Sequence, residues 1–270
     1  MNAFQDKTAI VTGGASGIGR ALCIELAKRG ALITVADING SGAEEVARKI
    51  ISGGGRASAV RVDVANKEEL QALIHQIGRL DYMFNNAGFA FTGELRDTSE
   101  ELWRKIVNIN LWGVIHGSTA AYAVMLGQGS GHIVNTASAA GLLPIPMQAA
   151  YVTTKHAVVG FTKVLRAEAA DFGIRVSVVC PGFIDTAMIR NSPVLNARLE
   201  DLEAKIPFRK YPAEKMAMDI IQGVLRNKAV ILSPYYTRVL VKGYQLFPTL
   251  MEKTIGRKTA RDFRSIRREP

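Results

Sequence analysis

The sequence predicts an α/β protein built on one open sheet of seven parallel strands, doubly wound, with helices on both faces. Three observations predict it. Apolar, β-rich runs alternate with helix-period segments, which implies parallel pairing through right-handed crossovers. Several of those runs are apolar throughout, as strands covered on both faces are. The 270 residues suit a single sheet of this kind and suffice to bury a sizeable core. No repeat, linker or second domain interrupts the pattern, so residues 1–270 read as one domain.

The first strand, Thr8–Thr12, runs into the turn Gly13-Gly14-Ala15-Ser16-Gly17-Ile18-Gly19, which opens the first helix, Gly17–Arg29. Glycine lets a backbone turn tightly and approach a pyrophosphate, and the helix N-terminus offers free N–H groups. Gly13, Ser16, Gly17, Ile18 and Gly19 are therefore candidate cofactor contacts. The spacing T-G-x-x-x-G-x-G differs from the commoner G-x-G-x-x-G, and glycines also serve plain turns.

The second strand, Leu32–Asp37, ends in an acid 18 residues after Gly19. A carboxylate there can accept hydrogen bonds from an adenosine ribose and would repel a 2′-phosphate. Neither Ser16 nor Ile38 is basic, and Arg20 is on the helix, so NAD is expected over NADP. Asp37 can equally be a simple strand end. The helix Gly42–Ser52 follows, then the strand Ser58–Asp63. Asp63 either contacts the adenine, beside Val64, or caps the helix Lys67–Ile77. The fourth strand, Leu80–Asn85, ends in Asn85-Asn86-Ala87-Gly88. Asn86, Ala87 and Gly88 suit a ligand crevice, or a strand-ending turn.

One long helix is expected over Glu100–Leu126, carrying Asn110. Next come the strand His132–Ala137, with Ser138 at its C-terminal end, and the helix Gln148–Phe172. On that helix Tyr151 and Lys155 are four apart and share a face. A free phenol has a pKa near ~10. A neighbouring ammonium and an oxidised nicotinamide would stabilise its anion, so a value of about 7–8 is expected. Ser138 can hydrogen-bond the same substrate oxygen. Asn110 can bend its helix and hold a water touching Lys155. The strand Arg175–Cys180 leads to Pro181-Gly182, and the helix Ala213–Arg226 leads to the last strand, Ala229–Ser233.

These motifs, in this order, resemble those of short-chain dehydrogenases/reductases over about residues 6–233. The resemblance implies a Rossmann-type sheet of order 3-2-1-4-5-6-7 and a catalytic tetrad of Asn110, Ser138, Tyr151 and Lys155. It implies that Tyr151 and Lys155 also touch the cofactor. Pro181, Gly182, Ile184 and Thr186 would line the nicotinamide, with Thr186 on the carboxamide. The last strand lacks the V-D-G-G ending of many tetrameric relatives. A dimer through the Glu100 and Gln148 helices is the favoured assembly, with a homotetramer the alternative.

Apolar residues flank the predicted chemistry. Leu143 and Met147 follow Ser138, and Phe183 and Met188 follow Gly182; these four, with Ser138 and Tyr151, are the candidate substrate contacts. Residues 182–211, with Ile189, Val194, Leu195, Leu202, Ile206 and Phe208, form an insertion expected to act as a lid. A hydrophobic secondary alcohol or ketone follows as substrate. Residues 234–270 form a basic C-terminal extension in which Leu240, Tyr244, Phe247 and Met251 make an apolar stripe. Packing over the substrate entrance or a partner subunit is favoured over contact with a membrane surface.

Net charge is +10, with seven Lys or Arg against three Asp or Glu between residues 252 and 269. No basic helix with interleaved aromatics precedes the tail, so nucleic acid is not expected as a partner. The four histidines are scattered and no metal site is expected. Cys23 and Cys180 have no C-x-x-C partner, which fits a reducing compartment, and a cytoplasmic location is expected. The expected activity is hydride transfer between NAD(H) and a hydrophobic alcohol or ketone. The alternative is a non-catalytic dinucleotide-binding sensor or scaffold.

Overall fold

A computed structural model describes residues 3–205 and 209–268, without the side chain of Ile189. Ile206 and Phe208 of the expected lid lie outside the described residues. Seven strands form the main sheet: β1 (Thr8–Thr12), β2 (Leu32–Asp37), β3 (Arg56–Arg61), β4 (Tyr82–Asn85), β5 (Gly131–Thr136), β6 (Ile174–Pro181) and, last in the chain, β9 (Val230–Ser233). The two-residue strands β7 (Ile184–Asp185) and β8 (Tyr211–Pro212) pair with each other in the insertion. The main sheet is parallel throughout, in the order β3-β2-β1-β4-β5-β6-β9. That is the expected order, with β9 in seventh place. The order reverses between β1 and β4, where sheets of this type open a crevice at their carboxyl ends.

Neighbouring residues of one strand serve opposite faces. Val11, Val35 and Val179 join Leu22 and Leu26 of α1 (Gly17–Ala27), Val46 of α2 (Gly40–Ser52) and Ile220 of α9 (Ala213–Leu225). Ile10, Met83 and Ile133 join Leu70 and Ile74 of α3 (Lys67–Ile77) and Met125 of α5 (Gly113–Gln128). All are buried, and each such aliphatic side chain contributes about 1.5–3 kcal/mol relative to exposure.

The third strand sits two residues earlier than expected. Register with β2 fixes it: Leu32 pairs with Arg56 and Asp37 with Arg61. Asp63 therefore lies beyond the strand. The single helix expected over residues 100–126 is three pieces. These are α4 (Glu100–Val107), a π turn (Asn108–Trp112) and α5. The widened turn falls on Asn110, whose amide is engaged by another segment.

Beneath the crevice a buried file of polar side chains crosses the sheet. Asn85 Nδ2 donates to Asn135 Oδ1 at 2.8 Å and to Ser118 Oγ at 3.1 Å. Asn135 Nδ2 donates in turn to Thr162 Oγ1 at 3.1 Å. Asn85 and Asn135 are register partners of β4 and β5.

Helix α6 (Ala149–Glu168) carries Tyr151 and Lys155. The short helices α7 (Ala187–Asn191) and α8 (Leu199–Lys205) belong to the insertion. The C-terminal extension folds as α10 (Tyr235–Leu246), α11 (Pro248–Met251), a π turn (Glu252–Gly256) and α12 (Arg257–Ile266). Pro248 divides the stripe as its fixed φ suits a first helical position. Among the described residues no helix is long and apolar enough to cross a membrane.

Candidate active site

The site begins at an uncapped helix. Ser16 is the N-cap of α1, yet its side chain makes no capping hydrogen bond and the first turn holds no acid. The first-turn N–H groups and the positive helix end therefore border the cavity lined by Gly13, Ser16, Gly17 and Ile18. Gly17 has φ +51° and a Cβ on it would come within 3.0 Å of Thr186 Cγ2. A Cβ on Gly19 would lie 2.1 Å from the Gly13 carbonyl oxygen. Gly19 thus shapes the turn from behind and does not line the cavity. The turn is pinned to β4: Thr12 Oγ1 accepts from Asn86 N–H at 2.9 Å and Ala87 N–H at 3.1 Å.

The Asp37 carboxylate accepts from Ala15 N–H and Asn39 N–H, both at 2.9 Å, and still lines the cavity. Exposed Ile38 is beside it. Arg20 is paired with Glu45 at 3.1 Å. Asp63 Oδ1 closes a turn by accepting from Ala65 N–H at 2.9 Å; the cap of α3 is Asn66, not Asp63. Asp63 and Val64 both line the cavity.

Of the four residues expected to act on protons, three line that same cavity: Ser138, Tyr151 and Lys155. Ser138 heads a 3-10 turn (Ala139–Gly141), and its Oγ accepts from Ala140 N–H at 3.1 Å. Lys155 Nζ donates to the Thr136 carbonyl at 3.0 Å. Burial pulls Lys155 down to about 8. Burial also pushes the Tyr151 phenol above its ordinary value, and a hydrogen bond with Ser138 offsets only part of the rise. The expected value of about 7–8 is thus not what the protein alone produces: the phenolate loses its water in this pocket.

Asn110 is fully buried and does not line the cavity. Its Oδ1 accepts from Phe89 N–H at 2.7 Å, and its Nδ2 donates to the Phe89 carbonyl at 2.8 Å and to Thr154 Oγ1 at 3.4 Å. The amide clamps the segment leaving β4 onto α6, and its Oδ1 and Lys155 Nζ lie 3.5 and 3.7 Å from where a Gly88 Cβ would stand.

Asn86, Ala87, Gly88, Pro181, Gly182, Ile184 and Thr186, expected on the cofactor, and Leu143, Met147, Phe183 and Met188, expected on the substrate, all line one cavity of about 830 Å³. Val194 and Leu202 of the insertion join them, whereas Leu142 and Leu195 pack elsewhere. Met147 holds φ +66° and its carbonyl accepts from Gly93 N–H at 2.8 Å, tying two wall loops together.

Sequence reasoning missed several lining residues. Thr237 is one; its buried hydroxyl has no partner among the described residues and lies 2.2 Å from where a Gly182 Cβ would stand. Ile255 and Phe263 of the tail are others, joining Leu240, Tyr244 and Met251. Phe247 of the stripe is exposed instead. The uncapped helix, the glycine cradle and the orphaned Thr237 hydroxyl fit a dinucleotide.

A sequence model of the short chain dehydrogenases matches residues 7–194. Cyclohexanol dehydrogenase from Acinetobacter sp. strain SE19 is 40% identical over 195 residues, covering 70% of this chain and 77% of that protein. The crystal structure of a short chain dehydrogenase/reductase from Burkholderia phymatum in complex with NAD is 29% identical. It covers 93% of this chain and 97% of that one, with a TM-score of 0.82. A structure from Beutenbergia cavernae with bound NADP is 31% identical, covers 86% and 96%, and has a TM-score of 0.75.

Proposed function

The chain belongs to the short-chain dehydrogenase family, and on that premise we propose that it is an NAD-dependent alcohol dehydrogenase or ketone reductase for hydrophobic secondary alcohols. One observation carries the reading. The uncapped start of α1 and the group Ser138, Tyr151 and Lys155 border the same largely apolar cavity.

Gly13, Ser16, Gly17 and Ile18 would hold the pyrophosphate, Asp37 the adenosine ribose, and Asp63 with Val64 the adenine. Tyr151, Lys155, Asn86, Ala87, Gly88 and the stretch Pro181, Gly182, Ile184 and Thr186 would surround the nicotinamide end. When bound, the cofactor supplies the hydride acceptor or donor. In reduction, Tyr151 gives its phenol proton to the substrate oxygen as charge develops there; its raised pKa keeps that proton in place through neutral pH. Ser138 Oγ accepts from Ala140, which leaves its own proton to donate to the same oxygen. Lys155, fixed by Thr136, carries the positive charge that favours the resulting phenolate. Asn110 is the positioning residue for the Phe89 segment.

The preference for NAD is supported by Asp37, by apolar Ile38, and by the commitment of Arg20 to Glu45. Leu143, Met147, Phe183 and Met188 support a hydrophobic substrate, and residues 182–211 act as its lid. Exposed Trp112, Leu126, Val164 and Phe172 support a homodimer through the α4–α5 and α6 helices. Mixing the protein with NAD or NADP and a panel of secondary alcohols tests the reading through nicotinamide absorbance. NAD reduction by cyclohexanol or longer alcohols is expected. Tight NAD binding with no turnover of any alcohol or ketone would favour a dinucleotide-binding sensor.

A further inference from the structure

The wall of the cavity contributed by the C-terminal extension presents Leu240, Tyr244, Met251, Ile255 and Phe263, with Thr237, Glu252, Thr259 and Asp262 among them. Phe263 is buried although it belongs to α12, whose composition is otherwise strongly basic. The helix is amphipathic, with Phe263 on its one buried face and basic residues around it. An anchor outside the helix adds to that packing.

Arg267 follows α12 and reaches the loop after β4. Its Nη1 donates to Glu94 Oε2 at 2.8 Å and to Asp97 Oδ2 at 2.5 Å, and its Nη2 donates to Asp97 Oδ1 at 3.0 Å. Arg264 Nε donates to Glu94 Oε1 at 2.9 Å. Next in the chain, Arg268 N–H donates to the Asn196 carbonyl at 2.7 Å, and its Nη2 pairs with Asp201 at 3.3 Å. Three separate parts of the cavity wall therefore meet at one charged cluster: the loop after β4, the 182–211 insertion and the tail. The Arg267 side chain is only 17% exposed, and those of Glu94 and Asp97 9% and 13%. A paired arginine in that setting, forked onto one carboxylate, is held far better than a surface ion pair.

We propose that the C-terminal extension is the substrate-selecting wall of the cavity, and that Arg267, clasped by Glu94 and Asp97, is the residue that positions it. This deepens the function proposed above and rests on it. The selected substrates are uncharged alcohols or ketones whose hydrocarbon body extends from the Tyr151 end of the cavity to Met251, Ile255 and Phe263. A small ring alcohol would not reach that wall and would not feel its displacement.

Arg267→Gln removes the clasp while keeping most of the side chain. Expected is a rise of roughly tenfold in KM for 2-decanol, with kcat nearly constant and the cyclohexanol KM changed by less than about twofold. The exchanged pair Asp97→Arg with Arg267→Asp should recover much of the 2-decanol KM, and high salt should weaken 2-decanol use by the wild type more than by Arg267→Gln. Equal effects on short and long alcohols, or none, would overturn the proposal. Hydrogen exchange provides a readout that does not depend on turnover. Arg267→Gln should speed amide exchange in residues 235–268 and leave residues 8–37 unchanged. Unaltered exchange in the tail would remove the clasp, whatever the enzyme's activity. An inactive wild type whose tail still loosens in the variant would count against the proposed reaction and not against the clasp.

Discussion

The Nζ of Lys155 lies 5.6 Å from the centroid of the Tyr151 ring while it donates a hydrogen bond to the Thr136 carbonyl. The cation is thus held by the backbone at the end of β5 and acts on the phenol through the ring. Burial weakens both partners in their charged forms, raising Tyr151 and lowering Lys155 to about 8.

Removing the phenol hydroxyl should remove the proton donor and little else. Tyr151→Phe is expected to lower kcat by about 10²–10⁴-fold. The dissociation constant for NADH, read by fluorescence, should move by less than roughly threefold. Retained turnover would place the acid elsewhere.

The rate of ketone reduction should fall as pH rises through about 8, where Lys155 loses its charge. The sign follows from the order of the two groups. Tyr151 titrates higher, so its proton is still present when Lys155 is neutralised, and the loss is of the cation that favours the phenolate. Lys155→Arg keeps a charge in this range. Its absolute rate should be lower, but its profile should stay flat across pH 8; the same falling limb in that variant would assign it to another group.

Asp37→Ala should raise the ratio of kcat/KM for NADP to that for NAD by about 10–100-fold, since like charges at a phosphate site cost several kcal/mol. The substitution also frees Ala15 and Asn39 N–H groups. A loss of about 1–2 kcal/mol in unfolding free energy should accompany it. An unchanged cofactor ratio would show that the ribose contact lies elsewhere.

His132 should make the fold sensitive to mild acid. Ser177 Oγ donates to the Lys228 carbonyl, so the His132 Nε2–H donates to Ser177, and Nδ1 is the bare nitrogen, buried without a partner among the described residues. Burial lowers its pKa to about 3 from 6.5. Between these values the unfolded chain binds a proton that the folded chain refuses. Stability is therefore expected to fall as pH drops from 6.5 towards 3, by at most about 1.4 kcal/mol per pH unit from this group. Urea titrations of His132→Gln against wild type should show a shallower slope in that window.

Much of this was legible because the signals are local. Strand–turn–helix alternation gave the parallel, doubly wound sheet, the family resemblance gave its order, and Ser138, Tyr151 and Lys155 gave three lining residues, because a motif held on one helix or one strand end keeps its spacing when folded. Other features depend on distant partners. The β3 boundary is set by pairing with β2, not by the apolar run. The break at Asn110 was anticipated as a bend, but its engagement with Phe89 is a contact across 21 residues. Glu94 and Arg267 are 173 residues apart, and no periodicity links them. The raised Tyr151 value reflects solvent exclusion, which the sequence around Tyr151 and Lys155 does not report.

The hydrogen bond between Asn85 and Asn135 acts as an alignment key for the middle of the sheet. Sliding β4 by one residue along β5 would turn the Asn85 amide to the other face of the sheet, away from Asn135 and Ser118, at about 1–3 kcal/mol for each group left unmet. Parallel strands pair late and across long stretches of chain, so misaligned intermediates are their particular hazard. The same two amides lie at the carboxyl ends from which Asn86 and Ser138 emerge. Correct threading of the sheet and correct aim of the chemistry are consequently checked by one buried contact.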